Sequence, residues 1–341
     1  MVPVLDKEKK PLMPCSEKRA KKLMEKGRAK PIWIKGIFCI ILQDEPKTRY
    51  MQDIVIGIDT GSRYIGYTVK SESHTLLNMQ VNAITDVKGK MESRMVLRKT
   101  RRTRNTPYKK CRLNRNIGKN LPSSIRARWE QHLNITKWMS KLYRINHVAI
   151  EDIKAKSWKG ANKWNKNFGP LEIGKQWFSD QVESLGHKLY KFQGYETYEM
   201  RNDLGLKKNK DKGKECFHTH CVDSWCIANK VIGGHTEVDN KNTVFLKPLR
   251  YHRRRLHAVV PQKGNFRRNY GSTLSMGLVR GTLVKHVKHG LGIIGGYRKK
   301  GISLHRLDTN FRFSDCAKLH DLKVLTILRY NIAYLKPTLA L

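Results

Sequence analysis

Residues 53–69 read Asp-Ile-Val-Ile-Gly-Ile-Asp-Thr-Gly-Ser-Arg-Tyr-Ile-Gly-Tyr-Thr-Val, and this stretch decides the fold. Two short apolar runs flank a turn that contains glycine and serine, which predicts a pair of β-strands. Asp59 ends the first run, where a carboxylate is costly to bury unless a cation meets it. Residues 75–84 form a further apolar segment that would extend the sheet. We therefore expect a β-sheet with an acidic side chain at one strand end.

Helix and strand patterns alternate further along the chain. Residues 126–143 carry large apolar side chains at helical spacing and lead into a strand pattern over residues 147–151, and residues 219–232 again have a helical pattern. This alternation is typical of an α/β core. Glu151 ends the second strand and Asp223 lies in the last helical segment, so three carboxylates stand in apolar surroundings.

Smaller units are predicted on both sides of this core. In the first 50 residues, a helix is expected to begin after Ser16 and to stop at Gly27, and one or two strands are expected within residues 32–42. At the other end, residues 240–306 place nine glycines between short apolar runs, which predicts a small β-barrel.

The chain has 341 residues, with 69 Lys and Arg against 28 Asp and Glu, and a formal charge of +41. Such an excess repels itself unless a polyanion neutralises it, and nucleic acid is the first candidate. The longest apolar run, residues 37–42, is far short of the roughly 20 residues that span a membrane. Seven cysteines without framework spacing are typical of a reducing compartment such as the cytoplasm.

The basic residues are concentrated in two stretches without acids. Residues 93–129 carry thirteen Lys and Arg, with a helical pattern up to Pro107, and residues 240–306 carry sixteen. We expect phosphate contacts from Arg94, Arg98, Arg101, Arg102, Arg104, Arg112, Arg115, Arg253, Arg254, Arg255, Arg267 and Arg268. The alternative is a solvated charged face, but such faces usually interleave acids that pair at i,i+4 spacing.

The three carboxylates form the candidate catalytic group. Hard oxygen ligands from several carboxylates suit Mg²⁺, and two ions about 4 Å apart suit in-line phosphodiester hydrolysis. Asp59, Glu151 and Asp223 are therefore the expected ligands, and Mn²⁺ is an expected substitute for Mg²⁺. His220 precedes Asp223 by three residues on one predicted helical face, where it would orient or deprotonate water. Asp59 has the alternative of a turn residue, and Glu151 that of a salt bridge to arginine.

Several other residues compete for these roles. Asp152 adjoins Glu151, but strand alternation places it on the opposite face, and His218 competes with His220. A zinc site would use residues from Cys216, Cys221, Cys226, His218 and His220. It is disfavoured because no Cys-x-x-Cys pair occurs, and ordinary thiols are expected. Stacking on unpaired bases is an alternative to core packing for Trp158, Trp164 and Trp177.

Three segments resemble, in order, the split segments of a RuvC-type nuclease with an RNase H-like fold: Ile56-Gly57-Ile58-Asp59-Thr60-Gly61-Ser62, Val148-Ala149-Ile150-Glu151 and His220-Cys221-Val222-Asp223. The Pro11-Leu12-Met13-Pro14 element, an arginine-rich stretch that resembles a bridge helix, and the basic C-terminal region are similar to those of the transposon-encoded, RNA-guided IscB and IsrB proteins of the OMEGA type. The resemblance covers essentially the whole chain.

This resemblance implies an α/β protein with an RNase H-like (RuvC) core in split segments. The implied units are a PLMP domain (1–52), RuvC segment I (53–92), an Arg-rich bridge helix (93–118), RuvC segment II (119–160), a linker with RuvC segment III (161–238), and a basic β-barrel-like C-terminal domain (239–341). The last unit would contact a short target-adjacent motif or the RNA scaffold.

One departure from IscB decides the subtype. IscB carries an HNH nuclease between the second and third RuvC segments, whereas here only residues 152–219 separate them. This gap is too short for another nuclease domain, and His187 and His218 are its only histidines. The chain therefore resembles IsrB, the form without HNH. The resemblance implies a monomeric protein bound to a guide (omega) RNA that nicks the non-target strand of double-stranded DNA, while guide pairing reads the sequence.

Two other functions remain open from the residues. One is a structure-selective resolvase that uses the same fold without a guide and cleaves branched DNA. The other is a non-catalytic RNA-binding protein, for which the basic composition suffices and the acids are incidental. The RNA that copurifies with the protein would separate the guided nuclease from the resolvase.

Overall fold

The computed structural model describes residues 1–46, 50–102, 121–152, 169–234, 237–249, 274–298, 301–307, 309 and 311–335. These residues form a mixed α/β protein with several sheets, as predicted. The helices are α1 (Glu17–Glu25), α2 (Val87–Arg102), α3 (Ser123–Met139), α4 (Gly169–Ser184), α5 (Gly194–Asp203), α6 (Phe217–His220) and α7 (Val222–Ile232). The strands are β1 (Val2–Leu5), β2 (Pro11–Cys15), β3 (Ala29–Ile34), β4 (Ile37–Leu42), β5 (Ile54–Asp59), β6 (Tyr64–Ser71), β7 (Thr75–Asn82), β8 (His147–Glu151), β9 (Lys188–Phe192), β10 (Thr243–Pro248), β11 (Leu274–Ser275), β12 (Leu278–Val279), β13 (Thr282–His286), β14 (Gly290–Arg298), β15 (Gly301–His305), β16 (Arg312–Ala317), β17 (Leu322–Ile327) and β18 (Tyr330–Leu335).

The N-terminal unit is a four-stranded sheet of order β2-β1-β4-β3, with α1 between β2 and β3. As predicted, Ser16 caps α1: its hydroxyl accepts a hydrogen bond from the Arg19 N–H at 3.3 Å. The predicted strand region is a hairpin, β3–β4, whose two turn residues, Lys35 and Gly36, both have positive φ. That backbone matches the twist of the two strands. A β-carbon on Gly36 would overlap Ile332, so the turn packs directly against β18.

The central sheet has seven strands in the order β18-β10-β7-β6-β5-β8-β9. Strands β5, β6 and β7 form an antiparallel meander, and β8 and β9 run parallel to β5. The central sheet is therefore of mixed parallel and antiparallel type. Because strand side chains alternate between faces, Ile54, Ile56 and Ile58 pack towards α3, whereas Val55 packs against α7.

The C-terminal third, which was expected to be a small β-barrel, contributes strands to more than one sheet. Its first and last strands, β10 and β18, pair with each other and extend the central sheet beyond β7. Between them lies an antiparallel sheet of order β16-β15-β14-β13-β17. Within the part of the chain that the structure describes, β16 and β17 are not paired, so this sheet is open. Within residues 161–238, β9 joins the central sheet beside β8, α4 packs on α3 and β9, and α5 packs on α7.

Trp138 joins the units around the sheet. Its ring, 1% exposed, stacks on Tyr330 of β18 with the ring centroids 6.1 Å apart, and its indole N–H donates to the Ile34 carbonyl at 3.4 Å. Helix α3, the end of the central sheet and the N-terminal hairpin therefore share one hydrophobic cluster.

Candidate active site

Asp59 and Glu151 end neighbouring parallel strands. The pairing of β5 with β8 puts Ile58 opposite Ile150, so the two acids follow at the same edge of the sheet. The Thr60 hydroxyl donates to the Glu151 carbonyl at 3.2 Å and ties the turn after β5 to the end of β8. The carboxylates are therefore adjacent because of the strand register.

Asp223 reaches the same edge on α7, which packs across β5, β6 and β8. Two strand glycines allow this close approach. A β-carbon on Gly57 would lie 2.0 Å from the Ser224 carbonyl oxygen, and one on Gly66 would lie 1.8 Å from the His220 carbonyl oxygen. No side chain fits at either position, and the first turn of α7 therefore lies directly on the strands.

Two basic side chains meet the carboxylates, and sequence reasoning assigned a role to neither. The Lys208 ammonium forms an ion pair with Asp223 and lies 3.6 Å from Asp59 Oδ2. The Arg201 guanidinium donates to Asp223 Oδ1 at 2.8 Å and packs against the Tyr198 ring, 5.3 Å from its centroid. From the sequence, one could infer only that buried carboxylates need a cation nearby. That requirement does not identify which Lys or Arg provides it.

The site is short of positive charge. Burial raises the pKa of Asp59, Lys208 opposes this rise, and Asp223 adds to it. Burial and the neighbouring Asp59 and Asp223 raise the pKa of Glu151 to about 8. Two carboxylates this close disfavour ionisation of both, so one of the pair holds its proton more tightly. An added cation would favour release of that proton.

His220 does not share a helix with Asp223. Helix α6 ends at His220, and α7 begins after Cys221, so the predicted single helical face is wrong. The His220 ring packs on Tyr64 with centroids 4.8 Å apart, and its Nε2 is 3.1 Å from the Lys212 carbonyl oxygen. Because a carbonyl only accepts, Nε2 carries the hydrogen and Nδ1 is the basic nitrogen. Burial lowers the pKa of His220, which keeps the ring neutral near pH 7.

The competing acid, Asp152, has a separate role. It is buried, its backbone N–H donates to the Phe192 carbonyl at 2.7 Å, and its carboxylate pairs with Lys175 of α4 at 2.7 Å. This contact anchors α4 to the sheet. Asp152 is therefore placed apart from the catalytic group, in line with the predicted strand alternation.

The other candidates are placed as follows. Cys221 and Cys226 are buried, and burial raises the pKa of Cys226 to about 12, so both are protonated thiols. His218 lies with Nδ1 3.4 Å from the Lys207 carbonyl oxygen. Trp177 is half-buried and packs on the core. Trp158 and Trp164 lie outside the described residues.

The donor chemistry of the three carboxylates fits a hard divalent cation, which takes oxygen ligands. Among the described ranges, however, no group of three or more His, Cys, Asp or Glu already has the arrangement of a ligand set. In this arrangement, Arg201 and Lys208 hold the two Asp223 oxygens. The site thus contains the carboxylates that are the expected metal ligands. The Lys208 ammonium contacts two of these carboxylates, those of Asp59 and Asp223.

Helix α2 carries the described part of the predicted nucleic-acid surface. Residues 88–100 are exposed, including Arg94 and Arg98. The backbone continues helical through Arg101 and Arg102, and these four arginines recur at i, i+4, i+7 and i+8, which is one helical stripe. The remaining predicted contacts lie outside the described residues: Arg104, Arg112, Arg115, Arg253, Arg254, Arg255, Arg267 and Arg268.

Over the described part of the chain, no helix has the length and apolar character needed to cross a membrane.

Comparisons with known proteins give a partial match. Residues 2–163 match the family described as RRXRR protein. No curated protein matches the chain. The structure titled T. thermophilus RuvC in complex with Holliday junction substrate is 14% identical and covers 53% of this chain and 96% of that chain, with a TM-score of 0.29. A Thermus thermophilus RuvC structure is 16% identical over 51% of this chain and 90% of that chain, with a TM-score of 0.25. The yeast mitochondrial Holliday junction resolvase is 14% identical over 55% and 80% of the two chains, with a TM-score of 0.29.

Proposed function

We propose that the protein is an RNA-guided DNA endonuclease that nicks the non-target strand of a guide-matched duplex by metal-dependent hydrolysis. The observation that carries this proposal is the convergence of Asp59, Glu151 and Asp223 at one edge of the central sheet. These carboxylates come from two strands and a helix, 92 and 72 positions apart along the chain. Asp59 and Asp223 contact the same ammonium group, and Glu151 ends the strand beside Asp59. Such a buried acidic group costs stability and is typical of a catalytic site.

Asp59, Glu151 and Asp223 would hold Mg²⁺, or Mn²⁺ in its place. The bound metal would supply Lewis-acid stabilisation of charge on the phosphate and a water of lowered pKa. The chain's own residues orient the carboxylates and accept a proton. Arg201 orients the Asp223 carboxylate through its hydrogen bond, and Thr60 keeps the Glu151 end of β8 beside β5. His220, whose Nδ1 is the basic ring nitrogen, would accept a proton from the attacking water.

The exposed helix α2 supports an RNA partner. An isolated helix of this length is marginal in water, and the described structure leaves all its faces from residue 88 to residue 100 exposed. Besides the arginine stripe, it exposes Met91, Met95, Val96 and Leu97. A guide RNA and its heteroduplex with target DNA would neutralise the arginines and order the helix. The C-terminal unit would contact the target-adjacent motif or the RNA.

The segment between Glu151 and Asp223 supports a single nuclease centre and hence a nick. Most of its described part consists of α4, β9, α5 and α6, which pack on the central sheet or on α7. The interval outside the described residues, 153–168, is far shorter than the roughly 50 residues of a small domain. No second nuclease of the HNH kind fits there. The proposed particle is one protein chain with one guide RNA.

A plasmid assay tests this proposal. The purified ribonucleoprotein, with its copurifying RNA sequenced, is incubated with Mg²⁺ and a supercoiled plasmid that carries the guide-matched site. We expect a nick in the non-target strand, and we expect Asp59→Asn to abolish nicking while guided binding is retained. Nicking by Asp59→Asn would refute the site. Cleavage of branched DNA by RNA-free protein would instead identify a resolvase, and unchanged RNA-dependent function in Asp59→Asn would identify a non-catalytic RNA-binding protein.

A further inference from the structure

Lys208 lies between two of the three carboxylates. It belongs to the connection between α5 and α6, residues 204–216, and its ammonium contacts both Asp59 and Asp223. The Lys208 side chain is 33% exposed, whereas those of Asp59 and Asp223 are 13% and 7% exposed. The ammonium therefore reaches the carboxylates from the solvent side, which is the side from which an ion would enter.

We propose that Lys208 is a resident cation, which offsets the repulsion of the catalytic carboxylates in the metal-free protein and leaves them when a divalent ion binds. This inference rests on the proposed metal-dependent function. A divalent ion needs the Asp59 and Asp223 oxygens as ligands. The ammonium occupies oxygens of the same two side chains, so the two cations compete for them.

The two basic residues of the site differ in their freedom to leave. Arg201 lies within helix α5, its side chain is 18% exposed, and Tyr198 packs against its guanidinium. Lys208 has a flexible four-carbon stem and lies between neighbours with exposed side chains, Lys207 and Lys210. Arg201 therefore stays paired with Asp223, and Lys208 is the partner that a divalent ion replaces.

The same arrangement explains why the carboxylates stay together without metal. Two like charges at this separation disfavour joint ionisation, and loss of the ammonium would leave the group with Arg201 as its remaining basic contact in the described structure. Lys208 is therefore a positioning residue. Its removal should loosen the metal-free site and should make the site bind a divalent ion more tightly, because no resident cation has to be displaced.

Titration with Mn²⁺ tests this proposal with a readout other than activity. The full-length protein and its Lys208→Met variant are titrated by calorimetry, and the heat measured in matched Asp59→Asn protein is subtracted to remove ions bound elsewhere. We expect Lys208→Met to bind Mn²⁺ about tenfold more tightly than wild type. Lys210→Met, which removes an equal charge from the same connection, should bind like wild type.

Equal affinities of wild type and Lys208→Met would overturn the Lys208 proposal and leave the metal site intact. Absence of site-specific Mn²⁺ binding in both proteins would overturn the metal site itself, and the Lys208 proposal with it. A second measurement needs no destabilising variant. In wild-type protein with ¹³C-methylated lysines, the Lys208 signal, identified by its loss in Lys208→Arg, should shift on Mg²⁺ addition while the Lys210 signal does not. An unshifted Lys208 signal would contradict the exchange.

Discussion

Substitution of Gly66 by alanine is the most informative single-methyl change in the core. Gly66 lies on β6 directly opposite Asp59, and the His220 carbonyl packs against it. Its backbone has no positive φ, so alanine adopts the same conformation without strain. The added methyl group therefore acts only by occupying space between β6 and the connection from α6 to α7.

The size of the effect follows from the contact distance. The new β-carbon would lie 1.8 Å from the His220 carbonyl oxygen, and such contacts are essentially never below 3.0 Å. The backbone at His220, and the first turn of α7 with Asp223, must then move outward by at least about 1.2 Å. Overpacking of this kind destabilises by about 1–3 kcal/mol. A displacement of about 1 Å in a catalytic group lowers the rate about 100-fold.

Two assays on Gly66→Ala separate stability from geometry. Urea denaturation should show a lower midpoint with an unchanged slope, and single-turnover nicking at saturating guide RNA and target should fall about 100-fold while guided binding persists. Gly89→Ala is the control, because a β-carbon there meets nothing within 4 Å. It should stabilise α2 by roughly 0.5–1 kcal/mol. A nicking rate of Gly66→Ala within about threefold of wild type would refute the role of the α7 position.

Three further changes probe the scaffold. Burial, with a smaller contribution from Arg128, lowers the pKa of His132 to about 3 from 6.5, so the folded ring stays neutral, with its Nδ1 hydrogen-bonded to the Tyr67 hydroxyl at 2.8 Å. Below pH 6.5, His132 takes up a proton in the unfolded chain but not in the folded chain. The free energy of unfolding that the neutral ring contributes is therefore present above pH 6.5 and is lost as the pH falls towards 3. Between pH 7 and pH 5, the free energy of unfolding should fall by roughly 2 kcal/mol more in wild type than in His132→Asn, as measured by denaturation. Equal falls would contradict the lowered pKa of His132. Trp138→Ala should destabilise by about 3–5 kcal/mol in urea titrations, well above the half-buried Trp177→Ala, and a cost equal to that control would be inconsistent with its joining role. Thr68→Val removes the hydroxyl that contacts Asn78 and Ser224 at 3.0 Å, and calorimetry should show a loss of about 1–2 kcal/mol; an unchanged melting temperature would show that these bonds contribute nothing.

Local signals in the sequence located several elements correctly. The apolar runs before Asp59 and Glu151 are strands β5 and β8, and the Ser16 cap and Gly27 stop bound helix α1. These signals work because capping hydrogen bonds and strand propensity depend on residues a few positions apart. The predicted helix over residues 219–232 was only partly right, because the helix is interrupted at Cys221. The carbonyl of the preceding residue, His220, packs there against Gly66. That interruption is set by a contact with a distant strand.

The C-terminal third shows the opposite case. Strands β10 and β18 are separated by most of the basic region, yet they pair along their whole length and complete the central sheet. Nothing within either short run distinguishes an edge strand of the core from a strand of the neighbouring sheet. Pairing across such a separation depends on which edge the folded core leaves available, so the strand patterns alone do not indicate that β10 and β18 complete the central sheet.

The sequence by itself determined which acids stand at the ends of apolar strands, because a carboxylate is rare and costly in that setting. Only the tertiary structure decided which Lys and Arg side chains meet them, and in the described part of the chain these are Arg201 and Lys208. Arg201 and Lys208 are chosen by distance in space, through the packing of α7 on Gly57 and Gly66 and the course of the connection after α5. Electrostatic pairing falls off over a few ångströms, and no spacing along the chain specifies it.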